Sequence, residues 1–257
     1  MKRRTFLKNS AVLAGTAAIT IPVMGNVNAQ PAEKSLFEWR IYHISRKPNA
    51  KGLLEKYFRE ALIPFLNQRQ IGFSAFNEYA LSEPVKLYVL IAYPNRTAYF
   101  KAQDEMLTDA AFLQAAKSYN SIPAASAVYD RFETYFLDAF DGFPAFKATD
   151  QTKQLFELRL YESASEDAGK RKIEMFNKEE IACFLKVGII PVFFGKIIAG
   201  QYMPALLYMV GFKDMAERDA AWGRFSEDPD WKTMRDKVEY ADTVSNIHRL
   251  FLTPAKI

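Results

Sequence analysis

Two six-residue segments of the chain alternate apolar side chains with glutamate, arginine and tyrosine. Residues 37–42 read FEWRIY and residues 156–161 read FELRLY. Such side chains could do chemistry in an apolar cavity, because arginine binds anions, tyrosine donates hydrogen bonds and a desolvated glutamate acts as an acid or base near neutral pH. The polar positions of the two segments are therefore candidate pocket residues: Glu38, Arg40, Tyr42, Glu157, Arg159 and Tyr161.

A second interpretation of these segments needs no ligand. Buried charges require partners, so glutamate and arginine could neutralise each other where two sheets meet. The recurrence of the pattern favours this structural use. A network that is only partly covered could serve both purposes.

The two histidines, His43 and His248, are weaker candidates for acid–base or haem chemistry. On a strand, His43 shares a face with Trp39 and Ile41, opposite the glutamate–arginine–tyrosine face, so we expect a structural or solvated side chain. His248 lies in the predicted last strand, where it could be a general base or an axial haem ligand. Haem is thus the cofactor to consider. No metal site is predicted, because no histidine or cysteine cluster has metal-ligand spacing.

The remaining chemistry-bearing residue types have simpler interpretations. Cys183, the single cysteine, lies in an apolar helical pattern and is interpreted as a core residue. Aromatic residues at 193, 194, 202 and 208 are interpreted as core, with a pocket wall as the alternative. The chain contains no nucleophile elbow, phosphate-binding loop or dinucleotide-binding fingerprint.

The net charge of +4 comes from the first 29 residues, which contain four basic and no acidic side chains. The other 30 basic and 30 acidic residues balance, which gives no basis for nucleic-acid binding.

The same N-terminal segment reads as an export signal. Arg3, Arg4 and the following TFLK resemble the twin-arginine consensus, and an apolar run too short to span a bilayer comfortably follows at 11–24. Small residues before Gln30 predict cleavage after Ala29, giving a periplasmic protein without a stable membrane anchor. The resemblance hints at a bound cofactor, since this route carries proteins that are already folded.

The elements that position these residues come in two copies. The segment at 37–42 returns 119 residues later, and the same offset relates two further pairs of segments, 89–93 with 208–212 and 109–112 with 228–231. We therefore predict a first repeat over 30–137, a linker over 138–153 and a second repeat over 154–257.

Each predicted repeat has the order βαββαβ. The first contains strands at 36–44, 72–80, 86–93 and 127–137, with helices at 50–68 and 95–117, the former kinked or ended by Pro64. The second contains strands at 155–162, 192–199, 205–212 and 246–252, with helices at 169–185, 213–225 and 228–240.

This order predicts an α+β fold in which two ferredoxin-like repeats pack sheet to sheet as an α+β barrel. Helices cover one face of each four-stranded sheet. We expect the apolar face of the first strand, with Phe37, Trp39 and Ile41, to meet the helices. The glutamate–arginine–tyrosine face would then line the space between the sheets. The barrel would form within a monomer or within a homodimer.

The second repeat resembles the NIPSNAP family. The resemblance rests on FELRLY, Val187-Gly188, the helix pattern at 213–222 and the DPDW element at 228–231. The first repeat resembles the family more loosely, with Phe112 in place of Trp231 and Tyr99 in place of Arg218. The resemblance implies a dimeric α+β barrel, in a superfamily that includes monooxygenases, haem-degrading enzymes and isomerases, and it leaves the activity undefined.

These observations favour a protein that binds a small aromatic or anionic molecule between its sheets. If it is an enzyme, a cofactor-independent monooxygenase or isomerase is expected, with Tyr42 or Tyr161 and a neighbouring glutamate handling protons. The alternatives are a non-catalytic periplasmic binding or interaction module and a haem-binding protein.

Overall fold

The computed structural model describes residues 33–80, 82–147 and 152–257. The predicted export signal and its cleavage site lie outside these residues. Within the described part, no helix is both long and apolar enough to cross a bilayer.

The first half of the chain contains four strands with helices after the first and third. Its strands are β1 Leu36–Ile44, β2 Gly72–Glu78, β3 Lys86–Tyr93 and β4 Tyr129–Ala139. Its helices are α1 Ala50–Tyr57, a π-helical turn Phe58–Leu62, α2 Ile63–Asn67, α3 Arg96–Met106, α4 Ala110–Asn120 and a 3-10 turn Ala124–Ser126.

The second half repeats this order of elements. Its strands are β5 Leu155–Glu162, β6 Ile190–Ala199, β7 Ala205–Phe212 and β8 Asn246–Pro254. Its helices are α5 Glu166–Met175, a π-helical turn Phe176–Glu180, α6 Ile181–Lys186, α7 Met215–Glu227, α8 Pro229–Arg235 and a 3-10 turn Val238–Tyr240.

The first helical segment of each half contains the π-helical turn. In the first half the N–H of Ile63 donates to the carbonyl of Phe58, five residues earlier, and α2 continues through Pro64. Pro64 was expected to kink or end the helix. The helix does not end there, because Pro64 occupies the first turn of α2, where proline is tolerated.

The eight strands close into one antiparallel barrel in the order β1-β3-β2-β8-β5-β7-β6-β4. The predicted α+β barrel of two βαββαβ halves is thereby confirmed. In each half the first strand lies between the third and the fourth, and the β2–β8 and β4–β6 pairs join the halves. Because all neighbouring strands are antiparallel, β1 and β5 run in the same direction, and their carboxyl ends meet at one end of the barrel.

The expected assignment of the two faces of the first strand was wrong. Phe37 and Trp39 belong to the apolar cluster inside the barrel, with Phe76, Phe156 and Phe193. Tyr42 instead packs outside it with Leu54 and other residues of the helix-covered layer. Strand alternation identified which residues share a face. It does not determine which layer that face meets, because both faces of β1 are covered and its residues are largely buried on both.

The amino ends of β1 and β5 lie at the opposite end of the barrel, which is packed. Phe146, in the segment that joins the halves, packs against the interior cluster. A Cβ added at Gly72 would lie 2.9 Å from the Phe146 ring, so the close approach requires glycine at that position. Backbone hydrogen bonds from Ser35 to Pro144 and from Lys147 to Val192 fix this segment across the end of the barrel.

Candidate active site at the open end of the barrel

The six candidate polar residues of the repeated segments form two networks beneath the helices. In the second half Glu157 accepts hydrogen bonds from Arg159 Nε at 2.7 Å, Arg218 Nε at 2.8 Å and Trp222 Nε1 at 2.8 Å. Arg218 and Trp222 come from α7. Arg159 also donates to the Tyr161 hydroxyl at 3.2 Å.

The first half has a smaller version of this network. Glu38 accepts from Arg40 Nε at 2.6 Å and from the Tyr93 hydroxyl at 3.0 Å, and Arg40 donates to Tyr42 at 3.2 Å. Burial raises the pKa of Tyr42 although Arg40 opposes the shift. The expectation that these residues line the inter-sheet space was therefore wrong. Arg40 and Arg159 are engaged beneath the helices, and Tyr42 and Tyr161 do not reach a ligand in the barrel.

A cavity of about 400 Å³ opens at the carboxyl ends of β1 and β5. Its wall combines aromatic rings with leucines and a few polar groups, as is typical of small-molecule sites. The lining comprises Trp39, Ile41, His43, Lys86, Tyr88, Glu133, Tyr135, Leu158, Leu160, Gln201, Tyr202, Leu207, His248, Arg249 and Leu250.

Both histidines of the chain line this cavity, and each is paired with a glutamate. His43 Nε2 lies 2.7 Å from Glu133 Oε1, and His248 Nε2 lies 2.5 Å from Glu162 Oε1. The expected placement of His43 away from the cleft was wrong, because the apolar face that it shares is the interior face. The His43 side chain is 8% exposed and that of His248 is 43% exposed, so the two pairs differ in their access to water.

The two pairs occupy equivalent positions with their residue types exchanged. Ile41 on β1 faces Glu133 on β4, and Leu160 on β5 faces His248 on β8. His43 and Glu162 each follow the tyrosine of the repeated segment. The histidine therefore comes from the first strand in one half and from the last strand in the other.

Tyrosines complete the polar part of the wall. The Tyr88 hydroxyl donates to Glu78 at 2.6 Å, and Glu78 also accepts from Ser82. Burial, with the nearby Glu133 carboxylate, raises the pKa of Tyr135 to about 12, so it stays a neutral hydrogen-bonding group. The Tyr202 ring lies 4.8 Å from the His248 ring.

This arrangement can move a proton beside an apolar surface. A carboxylate that accepts from one imidazole nitrogen orients the ring and supports its protonated form, which is the standard setting for a histidine acid or base. The hydrogen bond from His248 lowers the pKa of Glu162, which keeps that carboxylate ionised. Sequence reasoning missed Glu133, although alternation along the last strand of the first half could have placed it on the interior face.

The residues present do not fit a haem group. Both histidines are already engaged through Nε2, His43 by Glu133 and His248 by Glu162, so neither ring offers that nitrogen as an axial ligand. Among the described residues, no cluster of three histidine, cysteine, aspartate or glutamate side chains is placed to hold a metal ion.

The other candidates separate into core and cavity residues. Cys183 is buried in the helix-covered cluster of the second half, where burial raises the pKa of its thiol. Phe194 and Tyr208 belong to the same cluster and Phe193 to the barrel interior, whereas Tyr202 lines the cavity.

The fold is an α+β barrel that closes within one chain. Two bacterial proteins, each named "putative monooxygenase", share the fold. The one from Lactobacillus acidophilus NCFM has 13% identity and a TM-score of 0.57 over 86% of this chain and 94% of its own. The one from Fusobacterium nucleatum has 13% identity and a TM-score of 0.59 over 87% and 94%.

The second half carries a NIPSNAP family domain, since residues 156–257 match the NIPSNAP family model. A NIPSNAP-like domain protein from Burkholderia xenovorans aligns with 41% of this chain and 88% of its own length, at 17% identity and a TM-score of 0.36. No curated protein matches the chain in sequence.

Proposed function

We propose that the open end of the barrel binds a small aromatic molecule and that a histidine–glutamate pair in its wall removes or returns a proton. One observation carries this proposal: both histidines line a single cavity, each held by a glutamate, and the other walls of the cavity are mainly aromatic and aliphatic. The ring systems of Trp39 and Tyr88, 5.8 Å apart, offer a surface on which a flat ligand can stack.

The reaction class that suits this site is proton abstraction from a weakly acidic C–H or O–H group. Returning the proton at another position isomerises the substrate. If molecular oxygen attacks the carbanion instead, a CH₂ group becomes C=O, one oxygen atom enters the product and the other leaves as water. The two neighbours named as putative monooxygenases, though similar in fold only, support the cofactor-independent oxygenase as the second route.

Deuterium exchange into 2-tetralone tests the acid–base part of the proposal. The ketone has an aromatic ring and acidic CH₂ protons, and ¹H NMR in D₂O follows their loss. We expect the protein to accelerate exchange and the double variant His43→Gln/His248→Gln to lose about 10²-fold or more of that acceleration. Tyr42→Phe is the control, because Tyr42 lies beneath the helices and the variant should keep the wild-type rate.

Exchange at the buffer rate with wild-type protein, or an unchanged rate in the double variant, would refute the acid–base role. Oxygen uptake measured in the same mixture separates the two routes, because isomerisation consumes none.

We further propose that the chain arose as a tandem duplication and acts as an exported monomer. The two halves share their element order and segment spacing, and the barrel closes without a second copy. The pattern at residues 1–29 supports twin-arginine export with cleavage after Ala29. Mass spectrometry of periplasmic protein should find Gln30 at the amino end, and Arg3→Lys/Arg4→Lys should retain the full-length chain in the cytoplasm.

A further inference from the structure

The charge around the open end of the barrel is uneven between its two halves. On β3, Lys86 is the direct neighbour of His43, whereas Ala205 on β7 is the neighbour of Glu162. On β4, Arg131 is the other neighbour of His43, whereas Asn246 on β8 is the other neighbour of Glu162. The first half thus places two cations at positions where the second half has none. Arg249 of the second half also borders the cavity, but its guanidinium group lies 5.8 Å from the centre of the Phe251 ring, and Phe251 packs in the helix-covered layer.

Lys86 lines the cavity, and its ammonium group forms no ion pair or hydrogen bond with any residue that the structure describes. The carboxylates near it are already engaged: Glu133 with His43, and Glu78 with Tyr88 and Ser82. A partly buried ammonium group beside apolar walls gains most from a ligand that brings its own negative charge.

We infer that the site takes an aromatic carboxylate, whose carboxylate group binds Lys86 while its ring occupies the apolar part of the cavity. This inference rests on the proposed binding of an aromatic molecule and adds the charge and the orientation of that molecule. With the anion held in the first half, the far edge of the ring faces the second half. His248 and Glu162 are then the pair that reaches the reacting edge, and His43 assists in holding the anion.

The uneven charge also provides an internal control. Because Lys86 and Ala205 occupy equivalent positions on β3 and β7, moving the lysine from one to the other changes the side on which the anion is held without changing the net charge. Lys170 lines a separate cavity beside α5, so a substitution there removes the same charge elsewhere.

Isothermal titration with 2-naphthoate and its neutral isostere 2-naphthamide tests the inference. We expect wild-type protein to bind naphthoate about tenfold or more tightly than naphthamide, because the carboxylate forms a charge-assisted hydrogen bond with Lys86. Lys86→Met, which keeps the alkyl stem, should remove this preference and leave naphthamide binding unchanged. Lys170→Met should bind both probes like wild type. If Lys86→Met fails to fold, as judged by circular dichroism, Lys86→Gln replaces it.

The binding results distinguish failure of the anion site at Lys86 from failure of the proposed aromatic binding. Equal binding of the two probes by wild type, or a preference that survives loss of Lys86, would overturn the anion site while leaving aromatic binding intact. Failure of wild type to bind either probe would remove both proposals. Recovery of the preference in Lys86→Met/Ala205→Lys would support a lysine at this end of the barrel as the group that holds the carboxylate.

Discussion

Glu38 and Glu157 have the same place in their repeated segments but different partners. Glu157 is fully buried and accepts hydrogen bonds from two arginines and a tryptophan. Glu38 has one arginine and one tyrosine. Their positions in the repeated segments are identical, so the difference comes from α7, which contributes Arg218 and Trp222, whereas the first half has Tyr99 in place of Arg218.

We therefore expect Glu157→Gln to destabilise the protein more than Glu38→Gln. Removing the charge leaves two buried guanidinium groups underneutralised, at a cost of about 3 kcal/mol, against about 1–2 kcal/mol for Glu38. Urea unfolding followed by circular dichroism measures both. Equal losses would show that the α7 contacts do not contribute.

The same residue predicts a pH dependence of stability. Burial alone would raise the pKa of Glu157, but the hydrogen bond from Arg218 and the charge of Arg159 outweigh it and hold the pKa below the ordinary value of 4.5. A lowered pKa stabilises the folded state above pH 4.5, and this contribution is lost as the pH falls through the folded-state value. The difference between wild type and Glu157→Gln should therefore shrink on acidification, as thermal unfolding at stepped pH would show.

At the scale of residues, the sequence correctly indicated that histidine, glutamate and tyrosine are the polar groups to consider. It placed the glutamate–arginine–tyrosine face inside the barrel, whereas that face lies beneath the helices. The exchange of partners between His43–Glu133 and His248–Glu162 could not be foreseen, because these contacts join residues 90 and 86 positions apart. Nothing in a single sequence pairs them. The repeat shows that His43 and Glu162 occupy equivalent positions. That equivalence points to two histidine–glutamate pairs only once the structure shows that the last strand of each half supplies the partner.

At the scale of elements, strand positions were predicted closely because alternating apolar residues and the repeat supported one another. The strands at 36–44, 86–93, 155–162 and 205–212 have the expected bounds. The expected single helix at 95–117 is instead two helices, α3 and α4. Asp109 begins the second by accepting a hydrogen bond from the N–H of Phe112, a cap that hydrophobic periodicity does not reveal.

The β4–β6 pair is one of the two strand pairs that join the halves, and it packs closely at Gly195. A Cβ added at Gly195 would lie 2.7 Å from the Cβ of Leu137. Gly195→Ala should therefore cost about 1–3 kcal/mol by overpacking. Gly223→Ala on α7 is the matched control: nothing lies within 4 Å of the added atom, and helix propensity predicts a gain of about 1 kcal/mol. Differential scanning calorimetry distinguishes the two, and a stabilised Gly195→Ala protein would contradict the close packing.

At the scale of the whole molecule, each half depends on the other to cover its sheet. The inner faces of both sheets contribute to one apolar cluster, which includes Phe37, Phe76, Phe156 and Phe193. The isolated segment 152–257 should therefore associate into a dimer that rebuilds an eight-stranded barrel, because its sheet face and two edge strands are otherwise exposed. Light scattering coupled to size-exclusion chromatography gives the mass. A folded monomer would show that the segment covers its own face.

If the cavity acts as proposed, substrate and product share one opening among the described residues, because the segment that carries Phe146 covers the other end of the barrel. A product molecule must then leave before the next substrate molecule can enter, so bound product should prevent substrate from binding. Product should then act as a competitive inhibitor, and progress curves should slow well before substrate is exhausted. The segment around Phe146 would thereby determine how ligands enter and leave the cavity, in addition to covering one end of the barrel.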